Sequence, residues 1–399
     1  MRKRRDREEE HAILMIFPHG DAIDPRKGNE IRVNYLLTEL ARKGRVCLFD
    51  ELGSRGGGDD GIEKRSYHPI NIGGHHLGSF FADFNPSFFF ELKKAILSFD
   101  PDTIIVSYPH GILVTRILSK LLARDFKIIY DAHDVERVLR KQVTMTEKDR
   151  SWLSRMLIYL SDIFFEKISI SLSDHIITVS EGDARDFMEL YCISPDRLTT
   201  IPIGTRLLDR GNYDKNECKK ALGLDPDKCV VLFHGVYDYS PNREAADLIE
   251  QRIAKEFHND QDVQFVIAGR GAPVRSTGNL RYIGYIDDLQ QLLMASDVAI
   301  VPILKGGGTR VKIFDYMSAM IPVLTTTKGI EGIDVNNGYH ALVVGDVGDE
   351  FISDLRRLTN DPNLRYSLAS RAMDLIKAKY EVGRISENLW RLISDLSEE

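Results

Sequence analysis

The chain has 399 residues, with 53 basic against 60 acidic side chains and a net charge of −7. That length fits two domains of ordinary size better than one, and a content of 43% hydrophobic and 28% charged residues is that of a soluble globular protein. The mild acidity argues against a dedicated nucleic-acid binder, and no apolar run reaches the roughly 18 to 20 residues of a spanning helix. The opening MRKRRDREEE has no apolar stretch behind its charges, so no secretory signal is expected. Cys47, Cys192, Cys218 and Cys229 are scattered, without a CxxC pair or a nearby His cluster. They read as reduced thiols of a cytoplasmic protein, neither a disulfide framework nor a zinc site.

In chain order, residues 1–10 are almost wholly charged and are expected to be disordered. The strand AILMIF, the polar loop PHGDAIDPRKGN and an amphipathic helix through Ile31, Leu36, Leu37 and Leu40 follow. VCLFD is the next strand, and Gly53 to Gly78 reads as a long Gly- and His-rich loop. Then DTIIVSY, KIIYDA and HIITVS read as strands separated by helical patterns. After residue 214 the rhythm repeats: KCVVLFHG, DVQFVIAG, LRYIGYI, DVAIVPI and PVLTT are strands, with PNREAADLIEQRIAKEF, DDLQQLLMAS and VKIFDYMSAM as helices. Continuous apolar strands alternating with helices mean parallel sheets covered on both faces. Two such series predict two doubly wound Rossmann-like domains facing across a cleft, with a seam at 201–214. Ligands of such sheets bind beyond the strand carboxyl ends.

The segment VPILKGGGTRVKIFDYMSAMIPVLTT, residues 301–326, is the most informative. A strand is expected to end at Pro302 and a helix to begin near Thr309, with Gly306, Gly307 and Gly308 between them. Glycines let a ligand approach the backbone, a helix N-terminus favours anions, and Arg310 and Lys312 add positive charge. Together they fit a phosphate; a solvated glycine turn is the plain alternative. Lys312 and Asp315 share a helix face, so Asp315 can accept hydrogen bonds from hydroxyls one turn deeper, as in a diphosphate followed by a ribose. The Walker pattern GxxxxGK[ST] is absent. Val274 stands where a dinucleotide fingerprint needs its third glycine. The two DPD triplets, at 100–102 and 225–227, precede strands as ordinary turns.

With these residues in view, 301–326 resembles the donor-site motif of family 4 glycosyltransferases, of GT-B fold. In the family's order come KGNEIRV, YDAHDVE, SDHIITVSEGD, TTIPIGT, FHGVYDYSPN, FVIAGRG and YIGYIDDLQQLLMASDVAIVPI. The resemblance runs from about residue 11 to 395. It implies a retaining transfer of a sugar from a nucleotide-diphospho-sugar (UDP- or GDP-linked) to a hydroxyl of a glycan or lipid-linked acceptor, with neither metal nor other cofactor. It also implies a charged segment 1–10, an acceptor domain 11–205, a nucleotide-sugar domain 206–380 and a helix 381–399 packing back on the first domain. His133, Arg310 and Lys312 take the catalytic positions. Gly28, Asn29, Gly235, Gly269, Gly307, Gly308, Thr309 and Asp315 take the donor-binding ones, and His110 and Glu331 an acceptor or sugar contact.

Two departures stand out. Asp315 holds the second carboxylate position of the family's donor motif, but Gly307 holds the first. Val236 and Asn242 stand where the family commonly has Arg and Lys, so Arg310 and Lys312 are expected to supply that charge. A subgroup with GGGTR before the helix shares these changes. His133 is either a contact to the donor sugar or a histidine satisfied by Asp131 or Asp134. A metal site built from Asp131, His133 and Asp134 is a further alternative, although such close spacing rarely lets three ligands converge. His75 and His76 read as solvated or acceptor-side. The crowd of Phe80, Phe81, Phe84, Phe88, Phe89 and Phe90 near Lys93 and Lys94, and the apolar helix 151–171, are either core or a peripheral membrane contact. A non-catalytic nucleotide-sugar-binding relative, or a sugar-nucleotide epimerase, is the alternative function.

Overall fold

The structure, a computed structural model, describes residues 11–18, 20–25, 28–51, 61–72, 75–76, 79–138, 152–208, 211 and 213–398. The charged segment 1–10 lies outside them. The chain divides into two compact units, Met1–Ile203 with Val382–Glu399, and Gly204–Glu381.

The first unit is built on a seven-stranded parallel sheet. In chain order it contains β1 (Ala12–Phe17), α1 (Gly28–Leu40), β2 (Arg45–Glu51), β3 (Ile62–Tyr67), the small hairpin β4 (Asn71–Ile72) and β5 (His75–His76), α2 (Pro86–Phe99), β6 (Thr103–Ser107), α3 (Ile112–Leu122), β7 (Lys127–Ala132), α4 (Trp152–Leu172), β8 (His175–Thr178), α5 (Glu181–Tyr191) and β9 (Leu198–Thr200). The strand order is β3-β2-β1-β6-β7-β8-β9. Alternation along β1 sorts its side chains between two cores. Ala12, Leu14 and Ile16 pack under α2 and α3 with Phe88, Leu92, Ile96 and Leu118. Ile13, Met15 and Phe17 pack under α1 with Val33, Leu36 and Leu40. The C-terminal helix of the chain, Val382–Glu398, closes that second core with Ile385, Leu389 and Ile393. Trp390 on it meets the His11 ring edge-on at 5.1 Å.

The second unit has another seven-stranded sheet, of order β12-β13-β11-β10-β14-β15-β16. It comprises α6 (Lys215–Ala221), β10 (Cys229–His234), α7 (Ser240–Leu248), β11 (Val263–Ala268), β12 (Val274–Thr277), β13 (Leu280–Ile283), α8 (Leu289–Met294), β14 (Val298–Val301), α9 (Val311–Ser318), β15 (Val323–Thr326), β16 (Leu342–Val344), α10 (Asp349–Asn360) and α11 (Pro362–Leu375), with Val382–Glu398 of the first unit then being α12. All pairings are parallel except β12 with β13.

Three expectations need correction. The stretch Gly53–Gly78 is not one long loop, because β3 pairs parallel with β2 along its length. Only Ile62 and Tyr67 of β3 are buried, so an edge strand has no apolar run to announce it. Residues 52–60, 73–74 and 77–78 of that stretch lie outside the described residues, as do the side chains of His75, His76, Phe80 and Phe81. Val274–Thr277, wholly exposed, adds an antiparallel edge strand beyond the strands expected. The third correction bears on the site: the helix expected near Thr309 begins at Val311, with Arg310 as its N-cap.

Candidate functional site

Strand carboxyl ends place the interesting loops. In the second unit β10 ends at His234 and β14 at Val301, and α9 starts shortly after β14. The intervening loop turns on Gly306 (φ +100°) and Gly308 (φ +74°), where L side chains are strained. A Cβ at Gly306 would stand 3.1 Å from both Pro241 Cγ and Tyr239 Oη, so the loop lies against the start of α7. Arg310 does not reach outward. It is buried, and its guanidinium donates to the carbonyls of Gly307, Gly308 and Lys305. It braces the glycine loop and delivers its charge from behind. Thr309 turns its hydroxyl towards Gly332, in the loop after β15.

Lys312 is the cation at the centre of this region. Its Nζ donates to Asn242 Oδ1 at 2.7 Å and sits 4.2 Å from the centre of the Phe233 ring. Asn242, itself buried on α7, donates from Nδ2 to the Val236 carbonyl at 2.8 Å, which fixes its amide oxygen towards the lysine. Burial, then the charge of Arg310, pull the Lys312 ammonium down to about 7. One turn on, burial pushes the Asp315 carboxyl up to about 7 against the pull of Lys312. Its side chain remains 26% exposed, which leaves an oxygen accessible to a ligand. His234 Nε2 lies 3.7 Å from Asp315 Oδ2 and has no hydrogen-bond partner. Burial and the neighbouring Lys312 pull His234 down to about 3, so the ring is neutral.

Glycines leave room for this cluster. A Cβ on Gly235 (φ +156°) would stand 2.6 Å from Lys312 Nζ, and one on Gly269 (φ +138°) would overlap the Gly235 carbonyl. The result is a cationic, largely buried cluster of side chains at a helix N-terminus. It suits a polyanion, with Asp315 beside it as acceptor for a diol.

In the first unit, His133 follows β7. Its Nε2 meets Asp131 Oδ2 at 3.0 Å, and its ring stacks on Tyr108 at 4.5 Å and 20°. Gly28 and Asn29 open α1, and Asn29 hydrogen-bonds the Tyr108 hydroxyl. His110 is placed elsewhere: it is buried, its ring is 4.9 Å from Phe165, and Nδ1 is 3.8 Å from Asp83. Glu331 is on the surface, paired with Lys328 at 2.6 Å.

Sequence reasoning missed His234, Tyr108 and Arg32, and it saw Asn242 only as a missing charge. The signal for Asn242 was its place one turn into α7, within reach of the β10 end. Tyr108 (φ +69°) gave no signal, because a non-glycine residue in the left-handed region is invisible in the sequence. Among the described residues no group of three or more His, Cys, Asp or Glu could hold a metal, and no helix is long and apolar enough to cross a membrane.

Residues 27–207 match the family model described as Glycosyltransferase Family 4, and residues 228–361 the one described as Glycosyl transferases group 1. The chain is 24% identical over 274 residues to a D-inositol 3-phosphate glycosyltransferase of Rhodococcus erythropolis strain PR4, covering 63% of this chain and 59% of that protein. The match thus spans little more than half the length of that relative. Among solved structures, the chain is similar to sucrose-phosphate synthase from Thermosynechococcus elongatus, with TM-score 0.71, 19% identity, and 97% of this chain and 99% of the other covered. It is also similar to Anabaena Alr3699/HepE in complex with UDP-glucose, with TM-score 0.67, 13% identity, and 96% and 99% covered. At these identities the likeness is one of fold, the two Rossmann-like sheets of GT-B.

Proposed function

From the premise that this chain belongs to the family 4 glycosyltransferases of GT-B fold, we propose that it moves a sugar, with retained anomeric configuration, from a nucleotide-diphospho-sugar to a hydroxyl of a glycan or lipid-linked acceptor. The observation that carries the reading is Lys312, held by Asn242 at the start of α9 with Asp315 one turn deeper. A diphosphate lies against the Lys312 ammonium and the α9 N-terminus, and the ribose hydroxyls donate to Asp315. As the bond to the sugar breaks, negative charge grows on the leaving phosphate. A preorganised ammonium and backbone amides stabilise that charge more than they stabilise the ground state. The departing phosphate oxygen takes the acceptor proton, so no strong protein base is required. His133 contacts the sugar being moved. No metal takes part.

A neighbour of the same fold is described in complex with UDP-glucose, which supports a nucleotide-sugar donor here. Gly307, in place of a carboxylate, removes one contact to the donor sugar and leaves its identity to the rest of the site. Incubation with a panel of UDP-, GDP- and ADP-sugars and acceptors tests the reading. Turnover by any pair supports it; nucleotide binding without turnover would leave a binding protein, and release of free nucleotide without an acceptor would indicate an epimerase.

The acceptor side carries a second feature. Helices α2, α3 and α4 cover one face of the first sheet. Their outer surfaces expose Phe90, Leu97, Leu121, Leu160 and Phe164, interleaved with exposed Lys93, Lys94, Lys120 and Lys167. Apolar groups ringed by lysines match an anionic bilayer surface, and we assign this face to peripheral membrane docking.

A further inference from the structure

The first unit contains a charge network that the reading above does not use. Arg32 on α1 and Asp131 at the end of β7 are both essentially unexposed. Arg32 donates to Asp131 Oδ1 from Nε at 3.2 Å and from Nη2 at 2.8 Å. Its third nitrogen, Nη1, donates to the Ile201 carbonyl at 2.6 Å, just beyond β9. The other carboxylate oxygen, Oδ2, receives Ser107 Oγ at 3.0 Å and meets His133 Nε2 at 3.0 Å.

We propose that Arg32 is a positioning residue: through Asp131 it fixes the tautomer and orientation of His133, with Nε2–H on the carboxylate and Nδ1 left as the ring nitrogen for a ligand.

Hydrogen-bond capacity places the proton. Burial alone would push the Asp131 carboxyl up, but Arg32 and then His133 outweigh it and hold the group well below the usual carboxylate range. An ionised carboxylate only accepts hydrogen bonds. Nε2 of His133 must therefore carry its proton, and in the neutral ring Nδ1 is bare. A bare nitrogen accepts, which suits a sugar hydroxyl. Without Arg32 the carboxylate would be buried beside one imidazole and one hydroxyl. It would then take a proton or draw water, and either change frees Nε2 from its role as donor.

The ring plane is fixed separately. Tyr108 holds a left-handed backbone (φ +69°) that lays its ring flat on His133, and strain of this kind persists where the surroundings over-determine it. The Tyr108 hydroxyl is tied to Asn29, one turn before Arg32 on the same helix. Helix α1 therefore controls both the tautomer and the tilt of His133. A buried Arg–carboxylate pair adds little stability over an apolar pair of the same volume, so packing alone does not account for it.

The inference rests on the proposed contact between His133 and the transferred sugar only for its catalytic consequence; the tautomer itself is read without substrate. The test uses the full chain labelled with ¹⁵N-histidine, in which long-range ¹⁵N–¹H spectra distinguish protonated from bare ring nitrogens. His133 is assigned by the signal lost in His133→Gln. Wild type is expected to show Nε2–H with a bare Nδ1, and Arg32→Met to lose that pattern. Where transfer is measured, Arg32→Met lowers kcat by about 100-fold with little change in KM for the nucleotide sugar.

If Arg32→Met fails to fold, Arg32→Lys decides. It keeps the charge beside Asp131 but not the fork, so it should melt near wild type while the Nε2–H pattern and kcat are both degraded. An Nδ1–H tautomer in wild type would overturn the proposal, and so would a variant that folds and keeps both the tautomer and kcat. A chain that transfers no sugar refutes the proposed activity and leaves the spectrum to judge Arg32 by itself.

Discussion

Lys312 donates to Asn242 across 2.7 Å, an ammonium held by a neutral amide between the end of β10 and the start of α9. A lysine at 242 would set two like charges against each other in a buried place. The asparagine instead aims a single cation and fixes it through its own bond to Val236. Lys312 is presented from the α9 side, and Asn242 is its bracket.

Removing the bracket should loosen the cation without abolishing it. Asn242→Leu keeps the volume and loses the acceptor. Affinity for the nucleoside diphosphate is expected to fall by roughly tenfold to a hundredfold, the worth of about one hydrogen bond to a charged group. Titration calorimetry checks this, and unchanged affinity would show that Lys312 needs no such support.

The depressed Lys312 gives the binding a pH signature. The free site holds the ammonium at about 7, and an arriving diphosphate favours the protonated form. The sign follows: below pH 7 the lysine is already charged and contributes its full attraction. Above pH 7 a proton must be taken up on binding, so affinity falls by up to about tenfold per pH unit. Calorimetry from pH 6 to 9 should show this alkaline loss, with proton uptake that depends on buffer. Lys312→Arg, charged throughout, should remove most of the loss and leave the part due to Asp315, which also ionises at about 7.

Close approach of loops sets a steric prediction. At Gly269 the backbone is left-handed and a Cβ would run into the Gly235 carbonyl. Gly269→Ala must displace the loop after β10, with a cost of about 1–3 kcal/mol from backbone strain alone. A lowered denaturation midpoint with loss of nucleotide affinity is expected. An unaltered Kd would mean that the two loops do not shape the site.

The lysine-ringed apolar face has its own measurement. Sedimentation with vesicles of phosphatidylglycerol and phosphatidylcholine should capture the chain, less so as salt rises. A Phe90→Ser/Phe164→Ser variant should stay in the supernatant while its nucleotide affinity is unaltered. Equal sedimentation of variant and wild type would remove this face from consideration.

Much of this fold was legible because strands buried on both faces read as unbroken apolar runs: AILMIF, DTIIVSY and DVAIVPI are β1, β6 and β14 with small shifts at their ends. What stayed hidden has physical reasons. Strand β3 is an edge strand that buries two of six residues, so its pattern is polar. Helix α9 starts after Arg310, whose side chain turns back onto loop carbonyls, a direction that composition does not reveal. At the site, Lys312 and Asp315 were readable from their spacing of three, since helical geometry alone puts them together. Arg310 was readable as a charge but not in its direction. The links from Arg32 to Asp131 and from Asn242 to Lys312 join residues 99 and 70 positions apart, and no local pattern encodes such pairs.

Binding of a nucleotide diphosphate at Lys312 and Asp315 is tested most directly by calorimetry with UDP, GDP and ADP on the wild type and Lys312→Met. At least one nucleotide should bind the wild type, and Lys312→Met should lose about 100-fold, near 2.7 kcal/mol, as expected for removal of a buried charge partner. No binding by any of the three, or equal affinity in the folded variant, would contradict the account.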